Sequence, residues 1–141
     1  MPTYLLVAAE AAGTPELGPA VRTQLRGDAR ARITLLIPRA TGQDVGISTR
    51  DAVALLQGHG LRMVGARVGD ADPVVAVGDE FLAGRRYDAV IVAASPTERA
   101  RWSKSDVIGR LRRASPNLRL LELAFGGELQ SVSDRIEQPG A

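Results

Sequence analysis

The chain has no cysteine and a single histidine, His59, among its 141 residues. The first absence excludes disulfides, thiol nucleophiles and thiolate metal sites together. With the second, it excludes a His/Cys zinc site assembled from one chain. A carboxylate-only magnesium site is left open by this count. Aromatic residues make up only 4% of the sequence against 45% hydrophobic residues overall. A folded core must therefore be built from Ala, Val, Leu and Ile. No apolar run approaches the ~20 residues that cross a bilayer. The first apolar run, "TYLLVAA", lacks the basic flank and the length of a secretory signal. The expectation is a cytoplasmic protein with no membrane partner.

Charge is scarce in net terms, +2, but unevenly spread. Residues 95–113 hold Arg99, Arg101, Lys104, Arg110, Arg112 and Arg113 against Glu98 and Asp106, a local net charge of +4. The rest of the chain is neutral to slightly acidic.

What is present is a regular alternation of elements. "YLLVAA" (4–9) is a continuous apolar run of strand length, as expected of a strand covered on both faces. Thr14, Pro15 and Glu16 read as a helix start, with Thr14 as N-cap, and Leu17, Val21 and Leu25 mark the apolar face of that helix. "ITLLIP" (33–38) is a second buried strand, followed by a breaker-rich loop over 39–46. Ser48 and Asp51 open a second helix that closes at Gly58 and Gly60. "LRMVGARVGD" alternates apolar and polar residues and predicts a more exposed, edge-like strand. Asp72 and Pro73 start a third helix; "YDAVIVAA" is the fourth and most apolar strand. "SDVIGRLRRA" predicts a fourth helix and "LRLLELA" a fifth strand.

Five strands alternating with four helices imply a doubly wound α/β domain, a parallel sheet with helices on both faces. The domain is expected to cover 1–124, with 125–141 as a C-terminal tail. Ligands of such sheets bind outside the carboxyl ends of the strands, where the strand order reverses. With the order 2-1-3-4-5 or its relative 3-2-1-4-5, strand 1 lies at that crevice, and in the second order strand 4 lies across from it. That brings "AAEAAG" opposite "AASPTERARW", read here as a polar loop. Three doubly wound classes fit poorly. Strand 1 ends in one acid, Glu10, where a receiver domain needs a pair; a flavodoxin's hydroxyl-rich phosphate loop and a dinucleotide fold's Gly-x-Gly-x-x-Gly are both absent.

The order and spacing of elements over residues 4–123, "VGDADP…A" at the start of the third helix, "YDAVIVAASP" and the Arg101-Trp102 pair resemble the universal stress protein family. The likeness is to a divergent actinobacterial-type branch. The resemblance implies a Rossmann-like, adenine-nucleotide-alpha-hydrolase-like fold with strand order 3-2-1-4-5. It implies dimerisation through the last strand, here Leu118, Leu120, Leu121 and Leu123, and in one subgroup ATP binding at the crevice. ATP-binding members carry an Asp at the end of strand 1, where this chain has Glu10. Their glycine motif, Gly-x-x-Gly then nine residues then Gly-Ser/Thr, follows strand 4. Here Ala94 or Ser95 stands at the first glycine and Ser105-Asp106 near the last pair.

The glycines are gone, and with them the backbone nest that approaches phosphate oxygens. The remaining nucleotide candidates are side chains: Glu10, Ser95, Thr97, Arg99, Arg101 and Ser105, with Lys104 beside them. Each has a simpler reading. Glu10 partners Arg99 or Arg101, Ser95 is a turn residue, Trp102 fills the crevice, and Asp106 caps the last helix. Arg110, Arg112 and Arg113 lie on the outer face of that helix at its favourable end, and His59 is a surface turn residue. No nucleophile–base arrangement is evident. The expected function is a non-catalytic, dimeric stress-response factor with a degenerate nucleotide site. The alternatives are an ATP-binding regulator or weak ATPase using arginines, and a basic-helix binder of nucleic acid or an acidic partner, nucleic acid being the less expected of the two.

Overall fold

Residues 5–8 of the first strand are fully buried, because helices cover that strand on both sides. The computed structural model describes residues 2–26, 28, 30–39 and 46–124. The tail 125–141 and most of the loop expected over 39–46 lie outside the described residues. The elements are β1 (Thr3–Ala8), a 3-10 turn (Glu10–Gly13), α1 (Leu17–Gln24), β2 (Arg32–Pro38), α2 (Thr49–Gly58), β3 (Arg62–Gly69), α3 (Pro73–Leu82), β4 (Ala89–Ala94), α4 (Pro96–Lys104), α5 (Val107–Ala114) and β5 (Leu120–Ala124).

The strands form one sheet in the order β3-β2-β1-β4-β5, every pairing parallel. In register, Val7 of β1 lies between Leu36 of β2 and Val92 of β4. Alternate residues of each strand feed opposite faces. Leu6, Ile33, Leu35 and Ile91 pack with Leu17 and Val21 of α1 and Leu56 of α2. Leu5, Val7, Leu36, Val90 and Val92 pack with Ala76 and Val77 of α3 and Val107 and Leu111 of α5. This is a five-stranded Rossmann-like fold with helices on both faces, as the alternation predicts. The strand expected to be exposed, β3, is the sheet's edge, and its Val64 and Val68 stand half exposed.

Several local expectations are corrected. Residues 96–104 are not a loop but helix α4, so the described residues hold five α-helices rather than four. Thr14 does not cap α1: its N–H and hydroxyl both donate to the Ala11 carbonyl at 3.1 and 2.8 Å, closing the 3-10 turn, and Glu16 holds the N-cap position. Ser48 and Asp72 do cap α2 and α3, accepting from the N–H groups of Asp51 and Val74. His59 is a turn residue as expected, partly exposed at the C-cap of α2, but its ring also lies against Gly18 of α1, where an added Cβ would collide with the imidazole. Asp106 precedes α5 with φ of 53° and makes no capping hydrogen bond; its carboxylate turns to Arg113 at 3.1 Å. Arg110 is not on a solvated outer face, since it pairs with Asp72 and lashes α5 to the start of α3.

The edge strand is tied down by a polar cluster. Arg67 of β3 donates to both carboxylate oxygens of Glu80 on α3, at 2.9 and 2.6 Å. The Tyr87 hydroxyl donates to the same carboxylate at 2.6 Å. The Arg67 hydrogen bond holds the Glu80 carboxyl below the usual carboxylate range against the effect of burial, with Tyr87 adding to it. Burial, and then the bond to Glu80, push the Tyr87 phenol up. The Arg110 hydrogen bond likewise lowers Asp72.

Candidate functional site

The chain leaves β1 toward α1 on one face of the sheet and leaves β4 toward α5 on the other. The two strands are neighbours, so a crevice opens at their carboxyl ends. A cavity of about 960 Å³ lies there, walled by Ile37 and Pro38 at the end of β2, Ile47, and Trp102 of α4. Glu10, Arg39, Glu98 and Arg101 are its charged lining residues.

The polar groups of the crevice are engaged with one another. Ser95, the residue after β4, is the N-cap of α4, and Pro96 follows at the first helical position. The Ser95 hydroxyl accepts the Glu98 N–H at 3.2 Å while the Glu98 carboxylate accepts the Ser95 N–H at 3.1 Å, a complete capping box. The other Glu98 oxygen accepts the N–H of Glu10 at 2.8 Å. One carboxylate thus spans the gap between β1 and β4. The Ser95 hydroxyl donates to Glu10 at 3.1 Å, and Arg101 donates to the second Glu10 oxygen at 3.2 Å. Arg39 donates to the Ile47 carbonyl at 2.6 Å.

Of the six nucleotide candidates, the fold brings Glu10, Ser95 and Arg101 together. Glu10 takes the simpler of its two readings as far as contacts go, a partner of Arg101. Arg99 points elsewhere. It lines a second cavity of about 620 Å³ beside β5, with Trp102 as the wall shared by the two. Thr97 is exposed on the first turn of α4, and Ser105 is exposed at its C-cap, its hydroxyl donating to the Trp102 carbonyl. Neither lines a cavity described here.

Sequence reasoning missed Glu98, which is 1% exposed and the most central charged residue of the crevice. The signal was present: Ser95-Pro96-x-Glu98 is a capping box with Pro at its first position, the grammar already recognised at Asp72-Pro73.

The crevice's charged lining residues are balanced in sign, and the main-chain N–H groups of Glu10 and Ser95 are bonded to a carboxylate. Glu98 has no Arg, Lys or His within ion-pair range among the described residues. It is held instead by main-chain N–H groups and by its position in the first turn of α4. No group of three or more His, Asp or Glu residues suited to a metal ion occurs among the described residues. No described helix is long and apolar enough to cross a membrane. The chain matches no protein-family profile and no curated protein. What is established is a Rossmann-like parallel α/β sheet, a fold compatible with nucleotide-binding proteins in general.

Proposed function

We propose that this chain is a non-catalytic regulatory protein of universal-stress-protein type, with a nucleotide crevice that has lost its phosphate-binding chemistry. The observation that carries the reading is the circuit of hydrogen bonds that Glu98, Ser95 and Glu10 close among themselves, with Arg101 paired to Glu10. The hydroxyl of Ser95 and the carboxylates of Glu98 and Glu10 are each bonded to a neighbour, and helix α4 stands where a glycine loop would present its N–H groups. In the first turn of α4, Pro96 has no N–H and the Glu98 N–H is taken by the Ser95 hydroxyl, while from Arg99 onward the N–H groups bond to carbonyls four residues back.

Dimerisation runs through β5, the edge of the sheet next to β4 among the described residues. Leu118 and Leu120 pack on the α5 side of the sheet, while Leu121 and Leu123 pack on the α1 side. The strand edge between them, which no described strand pairs, is the surface a second copy would extend. Sedimentation at rising protein concentration tests this, with a dimer expected; a monomer throughout overturns it. Incubation with Mg-ATP is expected to release no phosphate above the buffer rate, and measurable turnover would favour a weak ATPase.

The basic-helix alternative is weakened by two contacts. Arg110 and Arg113 are paired with Asp72 and Asp106, which leaves Arg112 as the only one of the three outside an ion pair among the described residues.

A further inference from the structure

A buried carboxylate is costly unless its oxygens are satisfied. Glu98 meets this demand with donors from both sides of the crevice: the Ser95 N–H just past β4 and the Glu10 N–H just past β1. The capping box accounts for the first of these bonds. It does not account for the second, which crosses 88 residues of sequence to reach the mouth of the neighbouring strand. Main-chain N–H groups at strand ends, beside a helix N-terminus, at a topological switch point, are what α/β sheets use to hold a ligand's phosphate. The carboxylate has the charge sign and the paired acceptor oxygens of that group, and no basic side chain among the described residues neutralises it.

We propose that Glu98 is a built-in anion that occupies the phosphate position of the crevice and sets its specificity against phosphorylated ligands. This deepens the reading above by naming the residue that disables the site. A phosphate entering here meets a fixed negative charge and finds both N–H donors taken. The remaining cavity, about 960 Å³ with Ile37, Pro38, Ile47 and Trp102 as walls, admits a ligand without phosphate at this end.

The test removes the internal anion and supplies one from solution. In Glu98→Ala, inorganic phosphate or formate is expected to raise the melting temperature by about 5 °C more than it does for wild type, at a concentration about ten times the dissociation constant. Sodium chloride at matched ionic strength is the control for general salt effects. Because the probe is a small anion and the comparison is between variants, the result does not depend on whether the wild-type crevice binds any ligand. Equal responses of wild type and variant would overturn the proposal and leave Glu98 as a strut. If Glu98→Ala does not fold, Glu98→Gln keeps the shape and removes the charge. The amide proton signals of Ser95 and Glu10 should then both move upfield by a clear margin over their neighbours, and unmoved signals would overturn the proposal as surely.

Discussion

An oxygen of Glu98 accepts the N–H of Glu10 at 2.8 Å, tying the start of α4 to the end of β1 across the crevice. Both donors to Glu98 lie in the part of the fold where α/β proteins bind their ligands. On the reading proposed above, that position is occupied rather than empty, a different condition from a site whose glycines have merely been replaced.

Removing that carboxylate leaves the Glu10 and Ser95 N–H groups without their partner. Glu98→Ala is expected to lower stability by about 2–4 kcal/mol, from two orphaned donors and a lost side chain. Urea unfolding measures it. A loss within experimental error would mean that water replaces the carboxylate at no cost.

The Arg67–Glu80 pair should make stability pH-dependent. Glu80 has a lowered folded pKa, so its contribution is full above the ordinary carboxyl range and fades as pH falls through the lower folded value. Asp72 is lowered too and acts in the same direction. Wild type should exceed Glu80→Gln by about 1–3 kcal/mol at neutral pH, less than for a fully buried pair because Arg67 reaches solvent. The gap should hold through the ordinary carboxyl range and narrow only as the pH falls below it, through the lowered folded value. A pH-independent gap in urea unfolding would contradict this.

The contact of His59 with Gly18 leaves no room for a methyl group. Gly18→Ala should cost about 1–3 kcal/mol, as overpacking of a tight contact does. His59→Ala in the same chain should recover most of that loss, a coupling that a double-mutant cycle reads directly.

Arg26 follows α1 with φ of 55°, in the left-handed region that favours glycine, and its side chain is exposed. Arg26→Gly should stabilise the protein by about 0.5–1 kcal/mol. Thermal melting checks the sign, and a destabilisation would show that the arginine makes a contact worth more than the strain.

Most of the sheet was legible because its strands announce themselves. The runs at 4–9, 33–38 and 89–94 are apolar on both faces, and the alternation of 62–69 marks an edge. Helix α4 was not legible by the same signal. Among its residues only Glu98 is buried, and a polar residue leaves no apolar stripe to count. Its start was written in Ser95, Pro96 and Glu98, which cap the helix, but a period-based reading weighs apolar residues and passes over caps. The bond from Glu98 to Glu10 has no local signature at all, since it joins residues that only the strand order brings together. The placement of Arg99 and Arg101 had a similar limit. Two residues apart on a helix they face different sides, so one meets the crevice and the other the cavity beside β5, a division invisible while the segment was taken for a loop.

If the protein's own carboxylate closes the phosphate position of the crevice, nucleotide should not bind there. The melting temperature of the wild-type protein with and without millimolar Mg-ATP tests this, because a ligand that binds only the folded state must raise it. No rise is expected beyond that produced by the same concentration of magnesium chloride. A clear rise that disappears in Arg101→Ala would contradict it, and would mean that side-chain cations hold the nucleotide where the glycines of related folds do.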